Sequence, residues 1–283
     1  MITRRNFLTA SAAGGFAFAS TPIALAQSYP RRPITIVVPF AAGGGVDAVA
    51  RVVAERMKES LGQPTIIENV TGANGSIGIG RVARARPDGY TIDLGGMVTH
   101  VLNGALYSLP YDVLNDFEPV SPLVTLPYIL FARKTMPAND LKELIAWLKA
   151  NPDKASAAYS AASQELMLTR FQKETGTHFV SVPYRGGAPA KHDLAASQID
   201  LDLDTPAYLP LVRGGSIKAY AVTSDTRLAT ASDIPTFAEM GLPALSFSTW
   251  WGFFAPRGTP NEIIRKLNGA PWKRWPIQRC DLV

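Results

Sequence analysis

A two-lobed α/β fold is predicted by three features of the sequence. Apolar runs rich in β-branched residues alternate with apolar residues at helical spacing. The alternation comes in two sets, with no low-complexity linker between them. Strands that alternate with helices favour mostly parallel sheets with right-handed crossovers. The 283 residues suffice for one large domain or two modest ones, at about 100–200 residues each.

Taken in order, Pro33-Ile34-Thr35-Ile36-Val37-Val38-Pro39-Phe40 is a strand signal running into Gly43-Gly44-Gly45. Asp47 follows, with Val49, Val52, Val53 and Met57 spaced for a helix. Thr65-Ile66-Ile67 is the next strand, Thr71-Gly72-Ala73-Asn74-Gly75 a second glycine loop, and 76–84 a short helix. Pro87-Asp88-Gly89 marks a turn before the strand Tyr90-Thr91-Ile92-Asp93-Leu94. After Tyr128-Ile129-Leu130-Phe131, residues 141–148 form an amphipathic helix stopped by Asn151-Pro152. The second set places strands at 157–159, 179–182 and 199–203 and helices around 166–173 and 188–196, with further strands at 218–222 and 250–254. Crossings near 132 and 222 give a discontinuous first lobe, 27–132 plus 222–283, and a second lobe, 133–221. That arrangement fits a hinged binding protein.

Composition narrows the class. With 47% hydrophobic and 18% charged residues, the chain is neither disordered nor fibrous. Of the net charge of +5, Arg4 and Arg5 supply +2, and Lys273, Arg274, Arg279 and Asp281 another +2. The remaining body has no basic stripe, so nucleic acid is not expected as a partner. Residues 1–26 read as an export signal: Arg4-Arg5, a small-residue apolar stretch from Phe7 to Leu25, and Ala24-Leu25-Ala26 for cleavage before Gln27. The mature chain is expected outside the cytoplasm. Gly14, Gly15, Ser20 and Pro22 make the stretch too polar for a membrane span. Thr3-Arg4-Arg5-Asn6-Phe7-Leu8 resembles the twin-arginine signature, but general secretion signals also begin with paired basic residues, so both routes stand. The single cysteine, Cys280, excludes a disulfide framework.

Three patterns carry possible chemistry. Gly43-Gly44-Gly45-Val46-Asp47-Ala48 matches the dinucleotide pattern G-x-G-x-x-A, with Glu68 near the end of the next strand. An exported α/β oxidoreductase is therefore one alternative, although Asp47 puts a carboxylate where pyrophosphate would lie. The same loop, with its backbone N–H groups at a helix start, equally suits a small anion such as a carboxylate. The loop 71–76 opens a second helix on the same sheet edge; the plain reading of both is a tight turn. Asp200, Asp202 and Asp204 alternate along a strand, a spacing that a hard metal uses but that more often faces solvent. His100, His178 and His192 show no metal-ligand spacing, and there is no G-x-S-x-G elbow, so no catalytic residue, metal or cofactor is expected.

From about Pro30 to Asn268 the chain resembles the Bug or TctC family, the periplasmic solute-binding proteins of tripartite tricarboxylate transporters. The resemblance rests on an ordered set: 33–40, 43–47, Leu61-Gly62-Gln63-Pro64 with Glu68-Asn69, Gly72-Ala73-Asn74-Gly75 and Pro87-Asp88-Gly89-Tyr90-Thr91. Tyr111-Asp112, Asp116-Phe117-Glu118-Pro119-Val120, Val182-Pro183-Tyr184-Arg185-Gly186, Pro235-Thr236, Phe254-Ala255-Pro256 and Gly258-Thr259-Pro260 continue it. It implies a type II periplasmic-binding-protein-like fold, hinged between its lobes, that closes on a small di- or tricarboxylate or related acid. Main-chain amides would hold one end of the ligand at Phe40, Ala41, Gly44, Gly45 and Asp47 and at Ala73, Asn74 and Gly75. Ser160, Tyr184, Gly186 and Asp204 would contribute from the other lobe. The implied protein is a monomeric, non-enzymatic binder that delivers its ligand to permease subunits; a signalling receptor of the same fold is a further alternative.

Two departures from the family pattern stand out. Ser160-Ala161-Ala162-Ser163-Gln164-Glu165-Leu166 lacks the family's loop glycine, and Ala195-Ala196-Ser197-Gln198 lacks the glycine before Gln. After Asn268 the family continues with residues that finish the first lobe, whereas here the lobe reads as truncated. If Pro271 is encoded CCA and Lys273 AAG, the next reading frame spells Met-Glu-Ala-Leu-Ala-Asp-Pro-Ala-Val-Arg-Ser-Arg, a helix of the family's kind. A frameshift is thus expected at codon 271, with exposed apolar surface and poor stability as its consequence. The DNA across that codon tests it.

Overall fold

The computed structural model describes residues 29–272. The expected export signal at 1–26 and the tail from Lys273 lie outside the described residues. Two five-stranded sheets form the frame. The first contains β1 (Ile34–Val38), β2 (Thr65–Asn69), β3 (Thr91–Gly96), β4 (Phe117–Pro127) and β10 (Ser248–Pro256) in the order β2-β1-β3-β10-β4. The second contains β5 (Ile129–Arg133), β6 (Ser156–Tyr159), β7 (Val180–Pro183), β8 (Leu201–Asp204) and β9 (Ile217–Val222) in the order β7-β6-β8-β5-β9.

Three strands of each sheet are parallel, β2-β1-β3 and β7-β6-β8. Both sheets are mixed rather than almost wholly parallel, because β10 runs antiparallel to β3 and β4, and β5 antiparallel to β8 and β9. These antiparallel strands are made by the segments that pass between the lobes. Helices cover both faces of each sheet, as parallel strands require. In the first lobe, α1 (Gly45–Leu61) and α8 (Asn261–Gly269) pack on one face, and α2 (Ser76–Ala83) on the other with Tyr111 and Phe117. In the second, α4 (Leu141–Ala150) and α5 (Ala162–Thr175) oppose α6 (Gly187–Ala195) and α7 (Leu209–Arg213). The buried stripe of α1 is Val46, Ala50, Val53 and Met57, whereas Val52 is exposed.

The sequence reading overlooked β4, whose apolar pattern is broken by Pro119 and Pro122. The strand lies at a sheet edge, where a missing N–H is tolerated. Its pairing with β10 slips where those prolines stand, opposite Phe254 and Gly252.

The chain changes sheet at Tyr128, between β4 and β5, and again at Phe247, before β10. These points differ from the expected 132 and 222, since β5 and β9 both belong to the second sheet, and Phe237, Leu242, Leu245 and Phe247 pack on its core. One residue, Thr223, ties the two passages together. Its N–H donates to the Tyr128 carbonyl at 2.8 Å, and Tyr128 N–H donates to its hydroxyl oxygen at 2.8 Å. That hydroxyl donates to the Phe247 carbonyl at 2.7 Å, and Phe247 N–H returns a 2.8 Å bond to the Thr223 carbonyl.

Candidate functional site

Parallel strands deliver their following loops to one sheet edge. In both lobes that edge faces the other lobe, so β1 and β2 from one side and β6, β7 and β8 from the other lead into a shared cleft. Four helices begin there. The N-caps of α1, α2, α5 and α6 are Gly44, Gly75, Ala161 and Gly186, and none supplies a side-chain hydrogen bond. By contrast α4, outside the cleft, is capped by Asp140, which accepts from Glu143 N–H at 2.8 Å. Uncapped helix starts leave backbone donors and the positive end of the helix dipole free for an anion.

The first loop is held from behind by Asp47. Its carboxylate, only 2% exposed, accepts from Gly43 N–H at 2.8 Å, from Arg51 at 2.9 and 3.1 Å, and from Asn69 at 3.0 Å. Asn69 also donates to the Phe40 carbonyl at 2.9 Å. Burial alone would raise the Asp47 carboxyl, but the bonds from Arg51, Gly43 and Asn69 outweigh it and hold it below the ordinary value. The Asp47 side chain thus braces the loop from behind with its acceptors engaged, while the contact expected at Asp47 is through its main-chain N–H.

The second loop is unusual in its backbone. Gly72, Ala73, Asn74 and Gly75 all have positive φ, at 122°, 47°, 52° and 88°. Asn103, fully buried, pins it by donating to the Asn74 carbonyl at 2.9 Å and to Ser76 Oγ at 3.0 Å. Asn74 Nδ2 donates to Tyr107 Oη at 2.8 Å. Gly72 and Gly75 adopt such angles freely, but Ala73 and Asn74 do so at a cost and are kept there by surroundings that over-determine them, a mark of functional loops.

On the second lobe, the Gln164 side chain folds back over the loop before α5, accepting from Ser160 N–H at 2.6 Å and Ser160 Oγ–H at 2.9 Å, and leaves the helix-start N–H groups uncapped. Tyr184 donates its hydroxyl to Asp193 at 2.8 Å, and burial and that carboxylate push the phenol up to about 12. Asp202 and Asp204 do not face solvent as their alternation suggested. They are 1% and 5% exposed, and burial raises both, Asp202 further because Asp204 stands beside it. The third member of the row, Asp200, pairs with Arg133 at 2.6 Å. Among the described residues no group of three or more acidic, His or Cys side chains is arranged to hold a metal.

Two neighbouring spaces occupy the cleft, both lined by Phe40 and Ser160. The inner one, about 50 Å³, lies between Gly44, Gly45, Val98, Thr249 and Trp251 on one side and Ala161, Gln164, Gly187, Asp204 and Thr205 on the other, with Tyr128 of the hinge. The outer one, about 410 Å³, is lined by residues 71–75, Tyr184 and Arg185. Of the residues expected at the site, Phe40, Gly44, Gly45, Ser160 and Asp204 thus meet in the inner space, and Ala73, Asn74, Gly75 and Tyr184 in the outer one. Ala41 and Gly186 line neither; they are where the lobes touch, a Cβ at Gly186 falling 2.7 Å from that of Ala41. Sequence reasoning missed Tyr128 of the hinge, Gln164 of α5, Thr205 after β8, and Thr249 and Trp251 of the returning strand β10. Arg185, the only basic residue on these walls, was legible in the Tyr184-Arg185-Gly186 run.

Two hinged α/β lobes around a cleft of helix starts define a two-domain solute-binding protein of the periplasmic type. The sequence profile of the TctC family, described as the tripartite tricarboxylate transporter family receptor, matches residues 49–275, and the chain belongs to that family. It is a family of periplasmic solute-binding proteins. The chain is 38% identical to protein BugT of Bordetella pertussis over 248 residues, 86% of this chain and 76% of BugT. Among solved structures it is similar to MatC from Rhodopseudomonas palustris with bound malate, at 37% identity and a TM-score of 0.81 over 87% of this chain and 85% of that one. A second R. palustris protein, solved with adipate, is 36% identical with a TM-score of 0.83, covering 86% and 83%.

Proposed function

We propose that this protein captures a small dicarboxylate between its lobes in the periplasm and presents it, as a monomer, to the permease subunits of a tripartite tricarboxylate transporter, without chemical conversion. The observation that carries this reading is the convergence of four helix starts without side-chain caps, two from each lobe, on one cleft whose only basic side chain is Arg185. Backbone amides of this kind take carboxylates of many shapes. The malate and adipate bound in the two relatives have the matching chemistry. The cleft gives the dinucleotide alternative no support, because the glycine loop is braced by a buried carboxylate where a pyrophosphate would need room. The ligand-binding set we propose is Phe40, Gly44, Gly45, Ala73, Asn74, Gly75, Ser160, Tyr184, Arg185 and Asp204. An N-terminal signal at 1–26 would export the chain by the twin-arginine or the general route.

A thermal melt with and without malate, adipate, longer dicarboxylates and aromatic acids tests the function. A ligand that binds only the folded state stabilises it by about 2.7 kcal/mol at 100 times its Kd. A cooperative transition that no acid shifts would sink the carboxylate reading.

A further inference from the structure

We propose that Asp204 carries a proton in the folded protein, donated to Tyr208 and relayed to the Gly187 carbonyl, and that this neutral carboxyl lets the cleft accept an anion beside two aspartates. The inference rests on the carboxylate reading above and assigns the protonation state that such a ligand requires.

Hydrogen-bond counting carries it. Tyr208 Oη lies 2.5 Å from the Gly187 carbonyl oxygen and 3.0 Å from Asp204 Oδ2. A phenol has one proton, and a carbonyl oxygen only accepts. The 2.5 Å contact takes the phenol proton, so the contact to Asp204 needs a proton from the carboxyl. With Asp204 Oδ2–H donating to Tyr208 Oη, and Tyr208 O–H donating to Gly187 O, each proton has one acceptor. The other oxygen, Asp204 Oδ1, accepts from Thr205 N–H at 2.6 Å and Thr205 Oγ–H at 3.1 Å. An ionised Asp204 would leave two nearly buried acceptors facing each other, a costly arrangement. Gly187 leaves room for the relay, since a Cβ there would stand 2.7 Å from Asp204 Oδ2 and 2.9 Å from Tyr208 Oη.

The surroundings agree. On the flanking strands, Ile129 stands opposite Asp204, and Phe131 and Ala158 opposite Asp202, all apolar. Gln164 faces the pair from α5. From α6, the Lys191 ammonium sits over the Tyr208 ring, 5.3 Å from its centroid. Tyr128 and Tyr184 are the remaining titratable neighbours. No cation is among the groups acting on either carboxyl, and Asp202 Oδ2 is buried without a hydrogen-bond partner. Burial pushes both carboxyls up, as it does for carboxyl pairs without a counter-ion. Asp204 and Gly187 both line the inner space, so the relay forms part of the wall that a ligand carboxylate would meet.

Infrared spectroscopy of the ligand-free protein with 13C-labelled aspartate tests the proton directly at neutral pH. Measured in an Asp202→Asn background, which removes the neighbouring carboxyl whose proton depends on Asp204, the difference made by Asp204→Asn is expected to show loss of a protonated-carboxyl C=O band; a difference containing only carboxylate bands overturns the proposal. If that variant does not fold, Tyr208→Phe is expected to shift the same band by removing its acceptor, and an unshifted spectrum overturns it. Calorimetric titration with malate and adipate across alkaline pH then tests the consequence. Affinity is expected to hold while the band persists and to fall about tenfold per pH unit beyond its loss. Affinity that does not follow the band overturns the link. The infrared arm needs no ligand, so a protein that shows the band yet binds no carboxylate would refute the carboxylate reading instead.

Discussion

The four hydrogen bonds on the Asp47 carboxylate and the absence of a counter-ion at Asp202 put two buried acids of one protein on opposite sides of the ordinary value. Their pH signatures are opposite too. The Asp47 carboxyl is lowered on folding, so its contribution is present above about pH 3.9 and is lost as pH falls through the folded value. Asp47→Ala should cost about 1–3 kcal/mol at neutral pH, read as a lower urea midpoint, because it leaves the Gly43 N–H and Asn69 short of an acceptor. The Asp202 carboxyl is raised, so folding is favoured below about pH 3.9 and stability declines as pH climbs toward the folded value. Asp202→Asn should therefore melt higher than wild type at neutral pH and lose that advantage in acid. Equal melting temperatures at pH 7 would refute it. His100 has a third signature: burial lowers it to about 4, so the unfolded chain takes up the proton first and stability falls from about pH 6.5 downward. His100→Gln should flatten that limb of the stability profile.

At the scale of elements, the strand-loop-helix units were legible because their signals are local: a β-branched run, glycines, then 3.6-residue periodicity. The edge strand β4 was not, since its three prolines read as a loop, and only a place at the sheet edge makes missing N–H groups tolerable. Thr223 was equally silent in sequence. Its hydroxyl joins the two passages between lobes, and Thr223→Val should remove two buried hydrogen bonds at nearly constant volume. The expected loss is about 1–3 kcal/mol in a chemical melt, and a midpoint unchanged from wild type would show that the hinge does not depend on it. The positive-φ run at 72–75 makes a separate prediction. Gly75 has φ of 88°, and a Cβ would fall 2.8 Å from Thr99 and 3.0 Å from Pro39, so Gly75→Ala should shift the loop and weaken ligand binding by tenfold or more, at about 1–3 kcal/mol of strain.

For the whole molecule, closure is set by bare glycine backbone meeting small side chains across the cleft. Gly186 approaches Ala41, and Gly45 approaches Thr205, whose hydroxyl would lie 2.5 Å from an added Cβ. Gly186→Ala should prop the lobes apart, raise the radius of gyration of the ligand-bound protein in X-ray scattering and weaken binding, while leaving the unfolding midpoint nearly unchanged. An unchanged radius with unchanged affinity would show that the cleft closes without this contact. The sequence by itself determined the fold class, the family and the two glycine loops that open helices, because strand periodicity, glycine placement and ordered short motifs are written in neighbouring residues. Only the tertiary structure decided that Asp47 supports the site from behind, that Asp202 and Asp204 are buried together, and that Tyr128, Thr205, Thr249 and Trp251 close the cavity. Those roles depend on where a side chain points after two sheets, folded from distant segments, are brought face to face; burial, and with it protonation, is a property of that meeting and not of any local run of residues.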